Sequence, residues 1–271
     1  MKSAISNIAW PATANDDALA LAVSLGFSGI EIAPMRIFGP LEAINLGDVK
    51  SYRVKLVDYG LEVAALQGIL FGVDGVHLFR DAEQRSRLRE ALLRIADIAV
   101  ALEAKACVFG APTVRDPGQL SARAATDLIV PFFREVGSQF AARSIVLCFE
   151  PNPPLYNCRF VTTTREAFDF VNEIASPGIR LQLDVGTILI NVEEAGVVQE
   201  VSALVGHCHL SEPHLQPVGS QHHDHRNLAA ALNNSCYKGW ISAEMRETSA
   251  WQQNMVRAAR MLRDIYGLPM T

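Results

Sequence analysis

Four residues in the second half of the chain have the types and the spacing to hold a divalent cation and to move protons beside it. Glu150 closes the apolar run IVLCFEP, and three later runs close in the same way: RLQLDVGT with Asp184, LVGHCHLSEP with His209, and GWISAEMR with Glu244. The first run reads as a buried strand, where a carboxylate is costly unless a metal or another cation receives it. Two Glu, one Asp and one His form an oxygen-rich donor set suited to one Mn²⁺, Mg²⁺ or Co²⁺ ion, and Zn²⁺ also fits such a set. Successive steps of 34, 25 and 35 residues separate the four, the spacing of consecutive strand-plus-helix units. If the strands lie parallel in a closed barrel, all four side chains converge at its C-terminal mouth.

The elements needed to position them run along the whole chain. AISNIAW, FSGIEIAP, LEVAALQGI and AKACVFGAP read as four earlier strands. Between strands lie helical stretches: ALALAVSL, capped by Asn15 to Asp17 and ended at Gly26; residues 48–59, closed by Gly60; and a long amphipathic run over about 82–102. Residues 120–143 follow, and Pro131 predicts a kink or a break there because proline removes a hydrogen bond and crowds the preceding turn. TREAFDFVNEIA starts at Thr162 to Thr164 with Glu166 placed to complete a capping box. Residues 193–204, NLAAALNNSCY and SAWQQNMVRAARMLRDIYG supply the last three helices. Eight strand-then-helix alternations predict a parallel α/β barrel, since such strands need crossover helices and are buried on both faces. The expectation is one domain spanning 1–271.

With 271 residues and 49% hydrophobic content, the chain can bury one large core. A formal charge of -5, from 24 basic and 29 acidic residues without a Lys/Arg cluster, gives no electrostatic reason to expect nucleic acid as a partner. No apolar run approaches the ~20 residues of a membrane span, and MKSAISNIAWP lacks the pattern of a signal sequence, so a cytoplasmic protein without a membrane partner is expected. Cys107, Cys148 and Cys208 lie inside predicted strands, and the five cysteines show no CxxC pairing, which suggests reduced thiols serving as small apolar fillers.

The four residues in this order, embedded in FEPNP, LDVGT, HCHLSEP and GWISAEM, resemble the xylose-isomerase-like family of sugar phosphate isomerases and ketose 3-epimerases. The most specific stretch runs from His207 to Glu244, where HHDHRNLAAALNNSCYKGWISAE is similar to the family's "H-x-D-W, helix, Y-x-G-W-I-S-x-E" ending. The resemblance implies a single (β/α)8 TIM barrel. It also implies that Glu150, Asp184, His209 and Glu244 bind one divalent metal, with Glu150 and Glu244 doubling as acid/base groups on opposite faces of a small polyhydroxylated carbonyl substrate. Chelation of the substrate carbonyl and a neighbouring hydroxyl would stabilise an enediolate, so that a carboxylate can remove the α-proton at neutral pH. Return of the proton to the other face gives an epimer, and return to the adjacent carbon gives an aldose–ketose isomerisation. Barrels of this family are often dimers or tetramers, though no stretch here marks an interface. Three positions depart from the epimerases: Thr187 stands where they carry His, Tyr156 where they carry a substrate-holding carboxylate, and Leu215 where they carry Arg. The resemblance therefore does not extend to a particular ketose.

Substrate contacts are expected from Glu31 and Gln67, which face the mouth by position, and from Tyr156, His214, His222 and Arg246. Arg246 shares the face of Glu244 and could pair with it or with an anionic substrate group, a structural ion pair being equally open. His207 shares the face of His209 and could support it from below, although such residues are more often satisfied core histidines. Trp10 and Phe71 could wall an apolar side of the pocket, although aromatics at strand ends more often belong to the core. Two further readings use the same residues: dehydration of an inosose or dehydroshikimate type, which also begins with α-proton removal, and a non-catalytic barrel that binds a sugar-like ligand. A second metal on the loop histidines, as in zinc apurinic endonucleases of this barrel, is disfavoured by Thr187 and the acidic charge.

Overall fold

The computed structural model describes residues 1–270. Eight strands close into a barrel in sequence order, each parallel to both neighbours. They are β1 (Lys2–Ser6), β2 (Gly29–Ile32), β3 (Glu62–Leu66), β4 (Ala106–Phe109), β5 (Val146–Phe149), β6 (Ile179–Asp184), β7 (Val205–Ser211) and β8 (Trp240–Glu244). Outside them lie α1 (Asn15–Ser24), α2 (Pro34–Phe38), α3 (Leu46–Asp58), α4 (Ala82–Leu102), α5 (Ala122–Ala142), α6 (Thr164–Ile174), α7 (Val185–Asn191), α8 (Val197–Val201), α9 (Arg226–Asn233) and α10 (Trp251–Arg260). The eight-strand parallel barrel expected from the alternation is thus present, each strand overlapping the apolar run read for it, although Asn7–Ala9 of the first run AISNIAW form a 3-10 turn beyond β1.

Strand residues alternate between two environments. Those facing outward join the helices in one continuous apolar layer. Those facing inward are small or polar: Ala65, Ala106 and Cys148 form a separate inner cluster, and Glu31, Gln182, His207, His209 and Ser242 are fully or almost fully buried beside them. Helix α4 shows how the outer layer forms, because Leu88, Leu92, Ile95, Ala99 and Leu102 recur every three or four residues and are all buried. Asp81 caps its start by accepting the Gln84 N–H at 2.7 Å. The capping box read in TREAFDFVNEIA is also formed, with Thr163 and Glu166 satisfying each other's backbone N–H groups.

Two expectations about helices are corrected. Of the kink or break expected at Pro131, the break is absent: helix α5 is continuous, because Pro131 and Asp127, whose carbonyl the ring deprives of a donor, both lie on the exposed side, where water can satisfy it. Residues 193–204 do not form one helix. The chain turns earlier, through α7, left-handed Val192 and α8, because Asp184 caps a helix immediately after β6.

The five cysteines are free, four of them buried and Cys236 exposed. No helix among the described residues is long and apolar enough to cross a membrane.

Candidate metal centre and substrate cavity

The strand ends deliver their polar side chains to one point. Nδ1 of His209 lies 3.2 Å from Glu150 Oε1, 3.1 Å from Glu244 Oε2 and 3.8 Å from Asp184 Oδ2. One ligand atom from each of Glu150, Asp184 and His209 fits within a 4.8 Å span. Glu150 comes from the end of β5, Asp184 from β6, His209 from β7 and Glu244 from β8, so adjacent parallel strands fix the arc. All four predicted ligands are brought together.

His209 is oriented from behind. Its Nε2 meets Glu31 Oε1 at 2.8 Å, the same oxygen lies 3.0 Å from His207 Nε2, and Ser242 donates to Glu31 Oε2 at 2.9 Å. Glu31 is therefore not at the mouth as its position suggested. It is completely buried one layer below, does not line the cavity, and acts on His209 rather than on a ligand. His207 supports the site from beneath, as its shared face with His209 suggested.

The other candidate ligands are held just as closely. Ser211 donates to Asp184 Oδ2 at 2.7 Å and accepts the Gly186 N–H at 2.9 Å, while the Thr187 N–H donates to Asp184 Oδ1. The Thr187 hydroxyl donates to the Pro151 carbonyl at 3.1 Å, joining the β5 and β6 loops. Asn152 donates from Nδ2 to Glu150 Oε2 at 3.0 Å. Behind it Arg115, fully buried and without a carboxylate partner, donates to Asn152 Oδ1 at 2.6 Å and to the Glu150 carbonyl at 2.7 Å. Its guanidinium stacks on the Phe149 ring at 4.9 Å. At Gly110 a Cβ would stand 1.8 Å from Glu150 Oε2, so any larger residue there displaces that carboxylate.

The electrostatics demand positive charge at His209 Nδ1. Burial disfavours an imidazolium, yet the charges of Glu244 and Glu31 and the closeness of the Glu150 and Glu244 carboxylates lift His209 well above its ordinary value. Burial pushes Glu244 up to about 7, with Glu150 and Asp184 adding to the rise and His209 opposing it. Asp184 is raised by burial and then by the Glu150 charge. Burial would raise Glu31 too, but the charges of His209 and His207 and their hydrogen bonds override it and hold the carboxyl well below the usual range. His209 Nδ1 has no well-aligned hydrogen-bond partner despite its three carboxylate neighbours. With Nε2–H given to Glu31, Nδ1 offers a lone pair to the same point as three carboxylates, an arrangement that fits a bound divalent cation.

Above this centre lies a cavity of about 740 Å³. Gln67, Tyr156, His214 and Arg246, four of the residues expected to contact a substrate, line it. Gln67 is positioned by donating to Ser6 Oγ at 2.6 Å. The Tyr156 hydroxyl accepts the His214 N–H at 2.7 Å, stabilising consecutive left-handed residues His214 and Leu215. Arg246 is exposed and makes no ion pair with Glu244; its backbone N–H donates to the Leu215 carbonyl. His222 is exposed and lies outside the cavity walls, so that expected contact is not made here. Of the two aromatics, Trp10 is core and Phe71 lines the cavity, 78% exposed.

Sequence reading missed Asn152, Ser211 and Ser242, each two residues from a ligand and hence on the same strand face or its extension. That period was a usable signal. For Arg115 there was none, since a single arginine in a loop does not announce its burial.

The model of the xylose isomerase-like TIM barrel family matches residues 19–265. No curated protein sequence matches the chain. Among solved structures, D-psicose 3-epimerase with D-fructose superposes with a TM-score of 0.83 at 18% identity, covering 98% of this chain and 100% of that one. D-psicose 3-epimerase with D-tagatose from Clostridium cellulolyticum H10 gives 0.81 at 16%, covering 98% and 99%. A family 2 AP endonuclease from Brucella melitensis gives 0.74 at 16%, covering 94% and 97%. At such identities the superpositions establish the barrel architecture, whereas the family match, spanning most of the sequence, establishes kinship: the chain belongs to the xylose isomerase-like TIM barrel family.

Proposed function

We propose that this chain, as one domain over 1–271, is a divalent-metal-dependent isomerase or epimerase of a small sugar or sugar-like carbonyl compound. The observation that carries the reading is the convergence of Glu150, Asp184 and Glu244 on His209 Nδ1, with the opposite ring nitrogen fixed by Glu31. Solved neighbours that are sugar epimerases, including a 3-keto-D-glucoside 4-epimerase from E. coli and an L-ribulose 3-epimerase, are in keeping with it.

Glu150, Asp184, His209 and Glu244 would hold the metal, with Mn²⁺, Mg²⁺ or Co²⁺ best suited to the donors and Zn²⁺ also accommodated. When bound, the ion would draw electron density from the substrate carbonyl and make the neighbouring C–H acidic. The protein does the rest. Glu150 and Glu244 project from strands separated by β6 and β7, so their carboxylates reach the centre from different sectors of the ring. One removes the α-proton and the other returns one, and the face or carbon that receives it decides between epimer and isomer. Glu244, displaced to about 7, is matched to proton exchange near neutrality. Asn152 occupies Glu150 Oε2, leaving Oε1 turned toward the centre. Gln67, Tyr156, His214 and Arg246 surround the remainder of the ligand.

The test is metal content of the purified protein beside Asp184→Asn and His209→Ala, followed by solvent-deuterium exchange into a panel of ketoses. About one ion per parent chain, little in the variants, and exchange abolished by Glu150→Gln and by Glu244→Gln are expected. Full exchange in both glutamine variants sinks the reading.

A further inference from the structure

The cavity above the carboxylates has two chemical halves. Residues contributed from β5 round to β8 carry polar side chains, with Leu215 the exception among twelve. Fifteen others come from the ends of β3 and β4 and the loops after them, and only Gln67, Asp74 and Thr113 among these have polar side chains. Leu70, Phe71 and Val73 supply the accessible aliphatic and aromatic surface, with Ile69 and Val114 buried behind them. The two loops make one wall, because the Leu78 N–H donates to the Val114 carbonyl at 2.8 Å and His77 Nδ1 accepts the N–H groups of Phe79 and Arg80 at 3.0 and 3.2 Å.

A polyol or simple ketose leaves that wall wet. Hydroxyls gain nothing from Leu70 or Val73, and Phe71 keeps 78% of its surface in water. The volume, about 740 Å³, lies in the upper part of the roughly 300–1,000 Å³ range that accommodates ligands with distinct polar and apolar ends. Charge narrows the class further. The charged side chain on the apolar half is Asp74, and Arg246, the lone Lys or Arg lining the cavity, stands on the opposite half beside Glu244. A phosphate or carboxylate over the apolar loops would meet an acid and no cation.

We propose that the substrate is a hydroxy-carbonyl compound bearing an uncharged apolar substituent, alkyl or aryl, as in a glycoside of a keto sugar. Its polar end faces Glu150, Asp184, His209 and Glu244, and its substituent lies against Phe71, Leu70 and Val73. This rests on the function proposed above for the polar half. The apolar half sets specificity through burial of the substituent, and truncating the substituent weakens binding without touching the carboxylates.

The experiment compares methyl and phenyl 3-keto-β-D-glucosides, together with D-fructose and D-fructose 6-phosphate, on the full chain with Mn²⁺. Affinity is measured by calorimetry and deuterium uptake on the same samples. The phenyl compound is expected to bind about tenfold or more tightly than the methyl compound, and the ratio is expected to fall toward one in Phe71→Ala, whose exposed side chain can be removed without disturbing the fold. Equal affinities, binding by neither glycoside, or tighter binding of the phosphorylated ketose overturns the substituent site. Deuterium uptake with equal affinities would leave the isomerase reading standing while removing the apolar site. A phenyl preference without uptake would keep the site and remove the isomerase reading.

Discussion

Glu31 Oε1 lies 2.8 Å from Nε2 of His209, and both residues are buried. This contact orients the ring: Nε2 faces the protein's interior and Nδ1 faces the carboxylates of Glu150, Asp184 and Glu244. It also removes Glu31 from the surface of the cavity, where position along β2 alone would have put it.

Replacing Glu31 with Gln keeps the volume but removes the negative charge that His209 Nε2 and His207 Nε2 face at 2.8 and 3.0 Å. Metal affinity is expected to fall about 10–100-fold, and the loss of the charge opposite His207 and His209 to destabilise the protein by about 3 kcal/mol. Isothermal titration with Mn²⁺ and urea melts of the metal-free protein read the two effects separately. Unchanged metal affinity would show that Glu31 does not orient His209.

Gly110→Ala places a methyl where Glu150 Oε2 now lies, 1.8 Å from the new carbon. The carboxylate must leave its place on Asn152. Deuterium exchange into substrate is expected to drop about 100-fold, the cost of displacing a reacting group by about an ångström, with circular dichroism unchanged. Normal exchange would mean that Glu150 has another productive position.

Arg115→Lys retains the charge and loses the fork that spans Asn152 and the Glu150 carbonyl. With the buried ammonium unable to reach both, a loss of about 2–3 kcal/mol is expected, and kcat is expected to fall more than KM rises. Asn152→Ala should reproduce the kinetic change with a smaller stability loss. If Asn152→Ala leaves kcat intact, the pair serves the fold alone.

Glu244 supplies a pH dependence of known sign. Its carboxyl is raised from 4.5 to about 7, so the folded, metal-free protein binds a proton that the unfolded chain has released between those values. Stability from this group is present below about pH 4.5 and is lost as pH rises through about 7, by a few kcal/mol at most. Melting of chelated protein from pH 5 to 8 is expected to show the decline, Glu244→Gln to flatten it, and added Mn²⁺ to reverse it. A melting temperature that rises over this interval in the chelated parent contradicts the assignment.

Strand order, barrel closure and the convergence of Glu150, Asp184, His209 and Glu244 were legible because apolar runs ending in a polar residue recur at strand-plus-helix spacing. What escaped was whatever depended on depth or contact across the ring. Glu31 occupies a strand position equivalent to a mouth residue, and only the stagger of the strands shows that it meets His209 instead. Pro131 does not end its helix because its face is exposed. Thr187 drew notice as a departure from a family pattern, yet its value lies in two bonds, to Asp184 and Pro151, that no spacing announces.

The ladder joining β3 to β4 has a single register pair, Leu66 with Cys107, whereas β5 to β8 are stitched by three or four pairs at each junction. The loops after β3 and β4 are also those that form the apolar wall. The barrel is thus a ring with one lightly sewn seam, and the seam lies away from the carboxylates. Local opening there costs few backbone hydrogen bonds, so this side can yield while the arc that carries the converging carboxylates keeps its registration.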